Sequence, residues 1–479
     1  MKDKKAFQRK NFSEWYIEVI RAADLAEYSP VRGCMVIKPY GYALWENIQK
    51  ILDEKLKATR HKNAYFPLFI PESFLRKEKE HVKGFSPQLA VVTYGGGKKL
   101  EENLIVRPTS ETIIYASFSR WIKSWRDLPL LINQWANVVR WELRPRLFLR
   151  TMEFLWQEGH TAHATHREAE EEILRILEIY RELVEKYLAI PVISGIKSDT
   201  EKFAGALRTF TIEAMTQDKK ALQMGTSHDL GQNFARVFNI SFQDANGQTK
   251  YVWQTSWGVS TRLIGGIIMV HGDEKGVILP PRIAPIQVVI IPVWSSKEKK
   301  DERTIREKIE KIRKKLEEND IKFLVDDRDY FSFGEKHYEW EKKGVPIRIE
   351  IGPKELNQRS VVLVRRDTSE KRMVSDISLG GEIKETLDLI QSELYQRALN
   401  FQKRNTHRVN SWDEFKKTIK TEKGFLKANW CGLSECEEVI KKETKATIRC
   451  FPLGEERKKG KCVFCNRDSF QKVIFALSY

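Results

Sequence analysis

Apolar and polar residues alternate along two neighbouring stretches between Leu131 and His163, and this alternation predicts two β-strands. A polar segment with several arginines and Pro145 joins them and predicts a loop. On the first strand, one face would carry Ala136, Val138, Arg140 and Glu142. On the second strand, one face would carry Arg150, Met152, Phe154, Trp156, Glu158 and His160. The pattern therefore predicts a hairpin that gathers aromatic and charged groups on one side.

A face of this kind is costly to bury unless its charged groups meet partners or a ligand. One interpretation is a basic hairpin on the protein surface, but that interpretation does not explain why Phe and Trp side chains would be exposed there. The other interpretation is a site for an anionic ligand with a planar ring. In that site Arg140 would hold a phosphate, Phe154 would stack on a base and Glu142 would fix an amino group.

The helical spacing of apolar residues predicts two helices upstream of the hairpin, one at Asn11–Glu27 and a long one from Tyr40 to Thr59. A strand is predicted to follow at Ala64–Phe69. A long helix followed by a strand suits a subunit interface, although a plain core helix has the same spacing. Downstream, Thr165–Tyr187 is predicted as a charged amphipathic helix and Leu222–Gly231 as a loop.

Three short segments contain polar residues that allow both an ordinary and a chemical interpretation. Thr109, Ser110 and Glu111 precede a predicted helix, where they could cap the helix or accept the ammonium group of an amino acid. His228 lies in a predicted loop, where a lone histidine is more often structural than catalytic. Arg262 lies on a glycine-rich helix and could be a surface cation or a ligand of the outer phosphates of a triphosphate.

The second half of the chain has a different pattern. Pro280, Pro281 and Pro285 predict a linker, and beyond it predicted strands and helices alternate as far as Lys403. This alternation is typical of a small α/β domain, although the fold alone does not identify its ligand.

Four cysteines near the end of the chain form two pairs with the spacing of a metal site, Cys431-x4-Cys436 and Cys462-x2-Cys465. Paired thiols at this spacing predict a structural zinc ion, with Cys450 as a possible rival ligand. The alternative is four unrelated reduced thiols. Because the pattern is not that of a disulfide framework, it favours a reducing, cytoplasmic location.

The composition is basic, with 83 Lys and Arg residues against 66 Asp and Glu residues and a net charge of +17. A polyanionic partner is expected, and charge alone permits either nucleic acid or a membrane surface. No apolar run approaches the roughly 18 residues that a membrane-spanning helix needs. The N-terminal segment, MKDKKAFQRKN, lacks the apolar stretch of a secretory signal.

Six stretches resemble, in order and spacing, the signature motifs of class II aminoacyl-tRNA synthetases and, more narrowly, of the eukaryotic/archaeal-type prolyl-tRNA synthetases. They are SPVRGCMVIKP, RPTSET, VVRWELRPRLFLRTMEFLWQEGHTAHA, ALQMGTSHDLGQNFA, TSWGVSTRLIGG and VHGDEKGVILPPRIAP. The resemblance covers nearly the whole chain. It implies an α+β catalytic domain with an antiparallel sheet at residues 1–280, an α/β anticodon-binding domain at 286–400 and a small C-terminal α/β zinc-binding domain at 405–479.

The resemblance also implies a homodimer that joins L-proline to tRNA-Pro with ATP and Mg²⁺, through a prolyl-adenylate. The catalytic residues it implies are Arg140 and Arg262. The implied ATP site consists of Arg140, Glu142, Thr151, Phe154, Gln223, Thr226, Ser260 and Arg262. The implied proline site consists of Thr109, Ser110, Glu111, Arg140, Trp156, Glu158, His160, Phe203 and His228. The implied zinc ligands are Cys431, Cys436, Cys462 and Cys465.

Two rival functions remain open, a class II synthetase for another amino acid such as threonine and a synthetase-like tRNA-binding regulator without ligase activity. Trp156, Phe203 and His228 argue against the first, and the complete set of ATP residues argues against the second. The short chain between His163 and Arg262 leaves no room for the editing domain of the bacterial-type enzyme. Some mischarging with alanine or cysteine is therefore expected, because a lost methylene changes binding by only about 1–3 kcal/mol.

Overall fold

The computed structural model describes residues 11–76, 89–142, 144–293 and 299–479, so the charged residues 1–10 lie outside the described part. Its helices are α1 Phe12–Ala22, α2 Pro39–Ala58, α3 Glu72–Arg76, α4 Glu111–Trp121, α5 His166–Glu182, α6 Asn233–Val237, α7 Arg262–His271, α8 Lys299–Glu318, α9 Phe333–Lys343, α10 Pro353–Asn357, α11 Leu379–Arg404, α12 Trp412–Thr421 and α13 Ser434–Thr444.

The strands of the first half are β1 Ala26–Tyr28, β2 Met35–Ile37, β3 Lys62–Asn63, β4 Phe69–Pro71, β5 Ala90–Gly95, β6 Lys98–Val106, β7 Leu130–Val139, β8 Glu153–His163, β9 Val192–Ile196, β10 Arg208–Met215, β11 Ala221–Gly231, β12 Ser241–Gln243, β13 Thr249–Tyr251 and β14 Trp253–Ser260. Those of the second half are β15 Val288–Pro292, β16 Phe323–Val325, β17 Ile347–Ile351, β18 Ser360–Arg365, β19 Lys371–Ser375, β20 Thr406–Arg408, β21 Phe425–Trp430, β22 Thr447–Pro452, β23 Gly460–Lys461, β24 Asp468–Ser469 and β25 Gln471–Ala476.

A large sheet carries most of the predicted site residues of the first half of the chain. Its central strands run in the order β9-β10-β11-β14-β8-β7, and each of these neighbouring pairs is antiparallel. Helices α1, α2, α5 and α7 contribute residues to the main apolar cluster against this sheet. The predicted antiparallel sheet with flanking helices is confirmed.

Close packing across the sheet requires glycine at one position beside the predicted hairpin. Gly159 on β8 pairs with Trp257 on β14. A Cβ atom at Gly159 would lie 2.0 Å from the Trp257 ring, so no larger side chain fits there without a shift. Trp257 is almost completely buried and fills the space between strand and helix layers.

The second half of the chain begins with a five-stranded sheet in the order β16-β15-β17-β18-β19. The β15 strand is parallel to both β16 and β17, whereas β18 is antiparallel to both β17 and β19. Helices α8 and α11 contribute to a separate apolar cluster over this sheet. The alternating pattern after the prolines therefore forms the α/β unit that was predicted.

The C-terminal unit extends the large sheet. Strand β22 pairs with β9 through Phe451 with Ile196 and Pro452 with Gly195. A buried ion-pair group reinforces this junction, because Glu213 lies 2.6 Å from Lys197 Nζ and 3.0 Å from Arg449 Nη2. The C-terminal unit is thus joined to the first half by backbone pairing and by buried charge.

Several predicted elements differ from the structure for identifiable reasons. The helix predicted at Asn11–Glu27 ends at Ala22, because Asp24 takes a left-handed backbone conformation with φ of 58°. The strand predicted at Ala64–Phe69 is wrong, since the regular strands there are only β3 and β4. In the intervening segment, the Phe66 backbone N–H donates to the Gln134 side chain and not to a neighbouring strand.

The segment Leu222–Gly231, predicted as a loop, is the central strand β11. Its glycines and polar residues suggested a loop, but most of its residues are buried between two neighbouring strands. In the hairpin, β7 ends at Val139 and β8 begins at Glu153, so Arg140 and Glu142 follow the first strand instead of belonging to it. Arg150 likewise precedes the second strand and is exposed.

Candidate active site

A cleft opens over the face of the large sheet where β7, β8, β11 and β14 meet the first residues of α4 and α7. One part is a cavity of about 250 Å³, whose lining includes Thr109, Glu111, Arg140, Phe154, Trp156, Glu158, His160, Phe203, Gln223, Thr226, His228, Ser260 and Arg262. A second cavity of about 270 Å³ shares Arg140, Phe154, Ser260 and Arg262 with the first and adds Glu142 and Thr151. Because four residues line both, the two cavities form one continuous cleft.

Two arginines occupy the middle of this cleft. The Arg140 Nε atom donates to the carbonyl oxygen of Pro108 at 3.0 Å, and its guanidinium carbon lies 5.4 Å from the ring centres of both Phe154 and Trp156. The Arg262 Nη2 atom donates to the carbonyl oxygen of Leu149 at 3.1 Å. A backbone carbonyl therefore orients each guanidinium group within the cleft.

The electrostatics of the cleft favour an anion between these two arginines. Burial, followed by repulsion from Arg150 and Arg140, lowers the pKa of Arg262 to about 10. Burial also lowers the pKa of Arg140, although Glu111 and Glu158 oppose this effect. A polyphosphate placed here would relieve the repulsion between like charges. Arg262 is in addition the first residue of α7, where the helix dipole attracts negative charge.

One end of the cleft carries two buried carboxylates, those of Glu111 and Glu158. Glu111 is the first residue of α4 and accepts a hydrogen bond from the Thr109 hydroxyl. Glu158 accepts hydrogen bonds from Ser110 Oγ at 2.5 Å, Gln134 Nε2 at 2.8 Å and His160 Nε2 at 3.0 Å. Burial raises the pKa of Glu158, but these hydrogen bonds outweigh burial and leave the pKa lowered. Glu158 is therefore ionised at neutral pH.

Aromatic rings close the carboxylate end. The Phe203 ring lies 4.6 Å from the His228 ring, and Thr209 Oγ1 lies 3.0 Å from His228 Nδ1. Burial, then repulsion from His160, lowers the pKa of His228 to about 3, so this imidazole is neutral. The buried Trp156 Nε1 atom lacks a hydrogen-bond partner among the described residues. The result is a small enclosure with apolar walls and an anionic floor.

Nearly all of the sequence-predicted site residues lie in this cleft, and one lies behind it. Ser110 does not line the cavity; it is fully buried and supports Glu158 from the rear. Sequence reasoning missed Gln134, which donates to Glu158, and Arg107, which donates to the backbone of Phe66 and Asn137. The alternation along β7 places Gln134 on the face of Ala136 and offered a signal for it, whereas Arg107 had none.

The four predicted metal-ligating cysteines lie together at a distance from the cleft. The Sγ atoms of Cys431, Cys436, Cys462 and Cys465 all lie within 4.8 Å of one another. Cys450 lies apart from this group, buried in an apolar cluster with Met215 and Phe425, and is not a ligand in this arrangement.

The structure also brings together a second group of potential metal ligands, His166, Glu170 and Asp229. The guanidinium group of Arg208 pairs with two of them. Arg208 Nη2 lies 2.5 Å from a Glu170 oxygen and 2.6 Å from an Asp229 oxygen. This group is therefore an internal ion-pair cluster. In the described part of the chain, no helix is both long enough and apolar enough to cross a membrane.

Comparison with family models divides the chain into three matched regions. Residues 94–271 match the tRNA synthetase class II core domain (G, H, P, S and T), and residues 287–386 match an anticodon-binding domain. Residues 412–479 match the C-terminal domain of prolyl-tRNA synthetases.

Individual relatives match over the whole chain. The proline–tRNA ligase of Chlorobaculum tepidum is 55% identical, and that of Prosthecochloris aestuarii is 53% identical, in both cases over the full length of the two chains. A crystal structure of the prolyl-tRNA synthetase from Cryptosporidium parvum, complexed with halofuginone and AMPPNP, has a TM-score of 0.93 at 41% identity and covers 98% of each chain.

The neutral state of buried His228 predicts a pH-dependent stability. In the unfolded chain this histidine binds a proton below its ordinary pKa of about 6.5, whereas in the folded protein it does so only near pH 3. The unfolded state therefore binds this proton at a higher pH than the folded state does. As a result, the free energy of unfolding falls as the pH is lowered from 7 to 5. At pH 5 the loss from this one group is about 2 kcal/mol.

The measurement is the urea midpoint at pH 7 and pH 5 for the wild type and for His228→Gln. The variant is expected to lose less stability between the two pH values than the wild type. Equal losses in the two proteins would contradict a neutral, proton-excluding environment for His228.

Proposed function

The chain belongs to the prolyl-tRNA synthetase family, and we propose the residues by which it performs each part of the family's reaction. It catalyses the ATP-dependent attachment of proline to its tRNA, in two steps. Proline and ATP first form prolyl-adenylate and pyrophosphate, and the prolyl group then passes to the terminal ribose of the tRNA. The single observation that carries the residue assignments is that Arg140 and Arg262 line one cleft beside a small aromatic and anionic enclosure.

We assign the arginine end of the cleft to ATP, which enters as its magnesium complex. The assignment is supported by the shared cavity walls and by the repulsion of Arg262 by Arg150 and Arg140. Arg140 contacts the α-phosphate and the prolyl carboxylate, and Arg262 holds the outer phosphates. Phe154 lies under the adenine ring, and the remaining contacts come from Glu142, Thr151, Gln223, Thr226 and Ser260.

We assign the carboxylate end to proline. Proline is a small apolar ring with a cationic nitrogen, so its site needs aromatic walls and a negative group aimed at that nitrogen. Thr109 and Glu111 provide the polar contacts, with Ser110 acting through Glu158. The walls are Trp156, His160, Phe203 and His228. A neutral His228 suits this role, because a second cation would repel the substrate nitrogen.

The chemistry then needs positioning and charge neutralisation, with no covalent enzyme intermediate. Arg140 lies between the two ends of the cleft and can hold the carboxylate oxygen of proline near the α-phosphorus. That oxygen attacks in line, and pyrophosphate leaves towards Arg262. The two guanidinium groups stabilise the charge on the phosphates as the bond to the leaving group lengthens.

We propose domain limits of 1–280 for catalysis, 286–400 for anticodon binding and 405–479 for the C-terminal zinc-binding domain. The separate apolar clusters of the first two units support these limits. The +17 charge suits the polyanionic tRNA, whose anticodon bases the middle domain would bind.

We also propose a homodimer formed through the β1–β2 hairpin and α2. Supporting this, apolar side chains on these elements are exposed, with Tyr28 at 39%, Val36 at 44% and Tyr42 at 41% of their full exposure. Exposed apolar groups that lie together favour a protein interface. The free cysteines of the described chain suit the reducing cytoplasm, which we take as the location.

We place the chain in the eukaryotic/archaeal type of the family, without an editing insertion. Between β8 and α7 the chain forms the elements α5, β9, β10, β11, α6 and β12–β14, most of which belong to the central sheet or its cover. The full-length match to the Cryptosporidium parvum structure supports the same type. The two rival functions, a synthetase for another amino acid and a tRNA-binding regulator, are disfavoured by the full-length relatives named proline–tRNA ligases.

We propose that the four clustered cysteines hold a structural zinc ion. Tetrahedral zinc with Zn–S bonds of about 2.3 Å separates its sulfur ligands by roughly 3.8 Å. The Cys431 Sγ atom lies 3.5 Å from that of Cys436 and 3.7 Å from that of Cys465, which fits such an ion. Bound zinc would join the loop at Cys431 to the segment that carries Cys462 and Cys465.

Replacing a clustered cysteine tests the zinc site. We expect Cys431→Ser to lose most of its bound zinc, because three sulfur ligands hold the ion less tightly than four. Metal analysis of the purified protein measures this loss. Cys450→Ser is the matched control and should keep its zinc; loss of zinc from Cys450→Ser but not from Cys431→Ser would contradict the ligand set.

Replacing Arg140 tests the proposed active site. We expect Arg140→Ala to lower proline-dependent ATP–pyrophosphate exchange by about 1000-fold, because the charge at the reacting phosphate is no longer neutralised. The exchange assay is run with proline and with the other amino acids. The exposed Arg144 in the same loop provides the control, and Arg144→Ala should retain its exchange activity. Near-normal exchange by Arg140→Ala would remove the central assignment.

A further inference from the structure

The loop between β9 and β10, residues 198–206, connects the proline end of the cleft to the C-terminal unit. On its inner side, Glu201, Lys202 and Phe203 line the cavity. On its outer side, the loop contacts helix α13, which belongs to the C-terminal unit. The same short segment thus faces a substrate cavity and a helix that is more than 200 residues away in sequence.

Two side-chain contacts join the loop to α13. The Ser198 hydroxyl donates to Glu437 Oε1 at 2.7 Å, and both residues are almost fully buried, at 1% and 3% exposure. Lys441 Nζ lies 2.9 Å from Glu201 Oε1. Glu437 and Lys441 are four residues apart on α13 and therefore present one face of the helix to the loop. The two contacts hold the loop at its start and near its middle.

On the cavity side, the loop is fixed by contacts to neighbouring strands and to the segment after β11, including a hydrogen bond from Asn233 Nδ2 to the Gly205 carbonyl oxygen at 2.9 Å. The Phe203 backbone N–H donates to Thr209 Oγ1 at 2.9 Å, and Thr209 also contacts the imidazole of His228. The Phe203 ring lies against the His228 ring. A shift of the loop at Ser198 or Glu201 would also move Phe203 relative to the cavity wall. Arg140 directly follows β7 and Arg262 begins α7, so neither arginine belongs to this loop.

We propose that Glu437 and Lys441 of α13 are positioning residues that set the affinity for proline by holding loop 198–206 against the cleft. The inference rests on the proposed assignment of the Phe203 end of the cleft to proline. Helix α13 carries Cys436 in its first turn, so the cysteine cluster and the loop lie on two sides of the same helix. The C-terminal unit thereby contributes to amino-acid binding without contacting the amino acid.

The test is the kinetics of ATP–pyrophosphate exchange in the full-length protein, with proline and ATP varied separately. We expect Glu437→Ala to raise the KM for proline by about tenfold, because a buried hydrogen bond to a charged group is lost. Lys441→Ala should raise it by about two- to five-fold, since its ion pair is partly exposed. The KM for ATP should stay unchanged in both variants.

The matched controls lie on the same helix. Glu438→Ala and Lys442→Ala replace exposed neighbours and should leave both KM values unchanged. Glu437→Gln keeps an oxygen that accepts from Ser198 and should restore most of the proline affinity. Ser198→Ala removes the other partner, and combining it with Glu437→Ala should add little to the single change.

Amide hydrogen exchange of residues 199–206 gives a readout independent of activity. It should become faster in Glu437→Ala, while the exchange of β11 and β14 stays unchanged. Equal rises in the KM for proline and for ATP, or an unchanged KM for proline with unchanged exchange of the loop, would overturn the inference. Phe203→Ala distinguishes failure of this inference from failure of the proposed proline site. An unchanged KM for proline in that variant would refute the assignment of the proline end itself.

Discussion

The cleft depends on keeping two half-buried arginines close together before any substrate arrives. Burial opposes this arrangement and lowers the pKa of both Arg140 and Arg262, and repulsion from Arg150 and Arg140 lowers the pKa of Arg262 further. The fold maintains it with backbone carbonyls, those of Pro108 and Leu149, which accept from the guanidinium groups without neutralising them. Preorganised charge of this kind needs no rearrangement at the moment of reaction.

Under the proposed assignments the rest of the site serves selectivity, and its carboxylate end includes a buried polar network around Glu158. Glu158 is held by three side chains from different elements, so its carboxylate has one orientation. The aromatic walls are less uniformly supported, because Phe203 lies on a loop while Trp156 and His228 lie on strands. The proposed proline site thus combines residues on strands with one residue on a loop. The C-terminal unit contacts that loop, through Glu437 and Lys441.

Much of the architecture was predictable because apolar residues recur at the regular spacing of a strand or a helix in the hairpin, the amphipathic helices and the α/β unit. The residues of the cleft were predictable for a related reason, since Phe154, Trp156, Glu158 and His160 alternate on β8. Strand β11 was not predictable, because a central strand buried on both faces shows no alternation and its glycines mimic a loop. Gln134 lies on the same face of β7 as Ala136, so the alternation could have indicated it. The supporting role of Arg107 depends on contacts between distant segments, which no local pattern records.

A crystal structure with L-proline and a non-hydrolysable ATP analogue tests the central claim most directly. The account predicts one bound triphosphate, with its α-phosphate within hydrogen-bond distance of Arg140 and its terminal phosphates at Arg262. The proline ring should lie between Phe203 and Trp156, with its carboxylate turned towards Arg140. A triphosphate bound outside this cleft, or a proline ring located away from the Glu111 and Glu158 end, would contradict it.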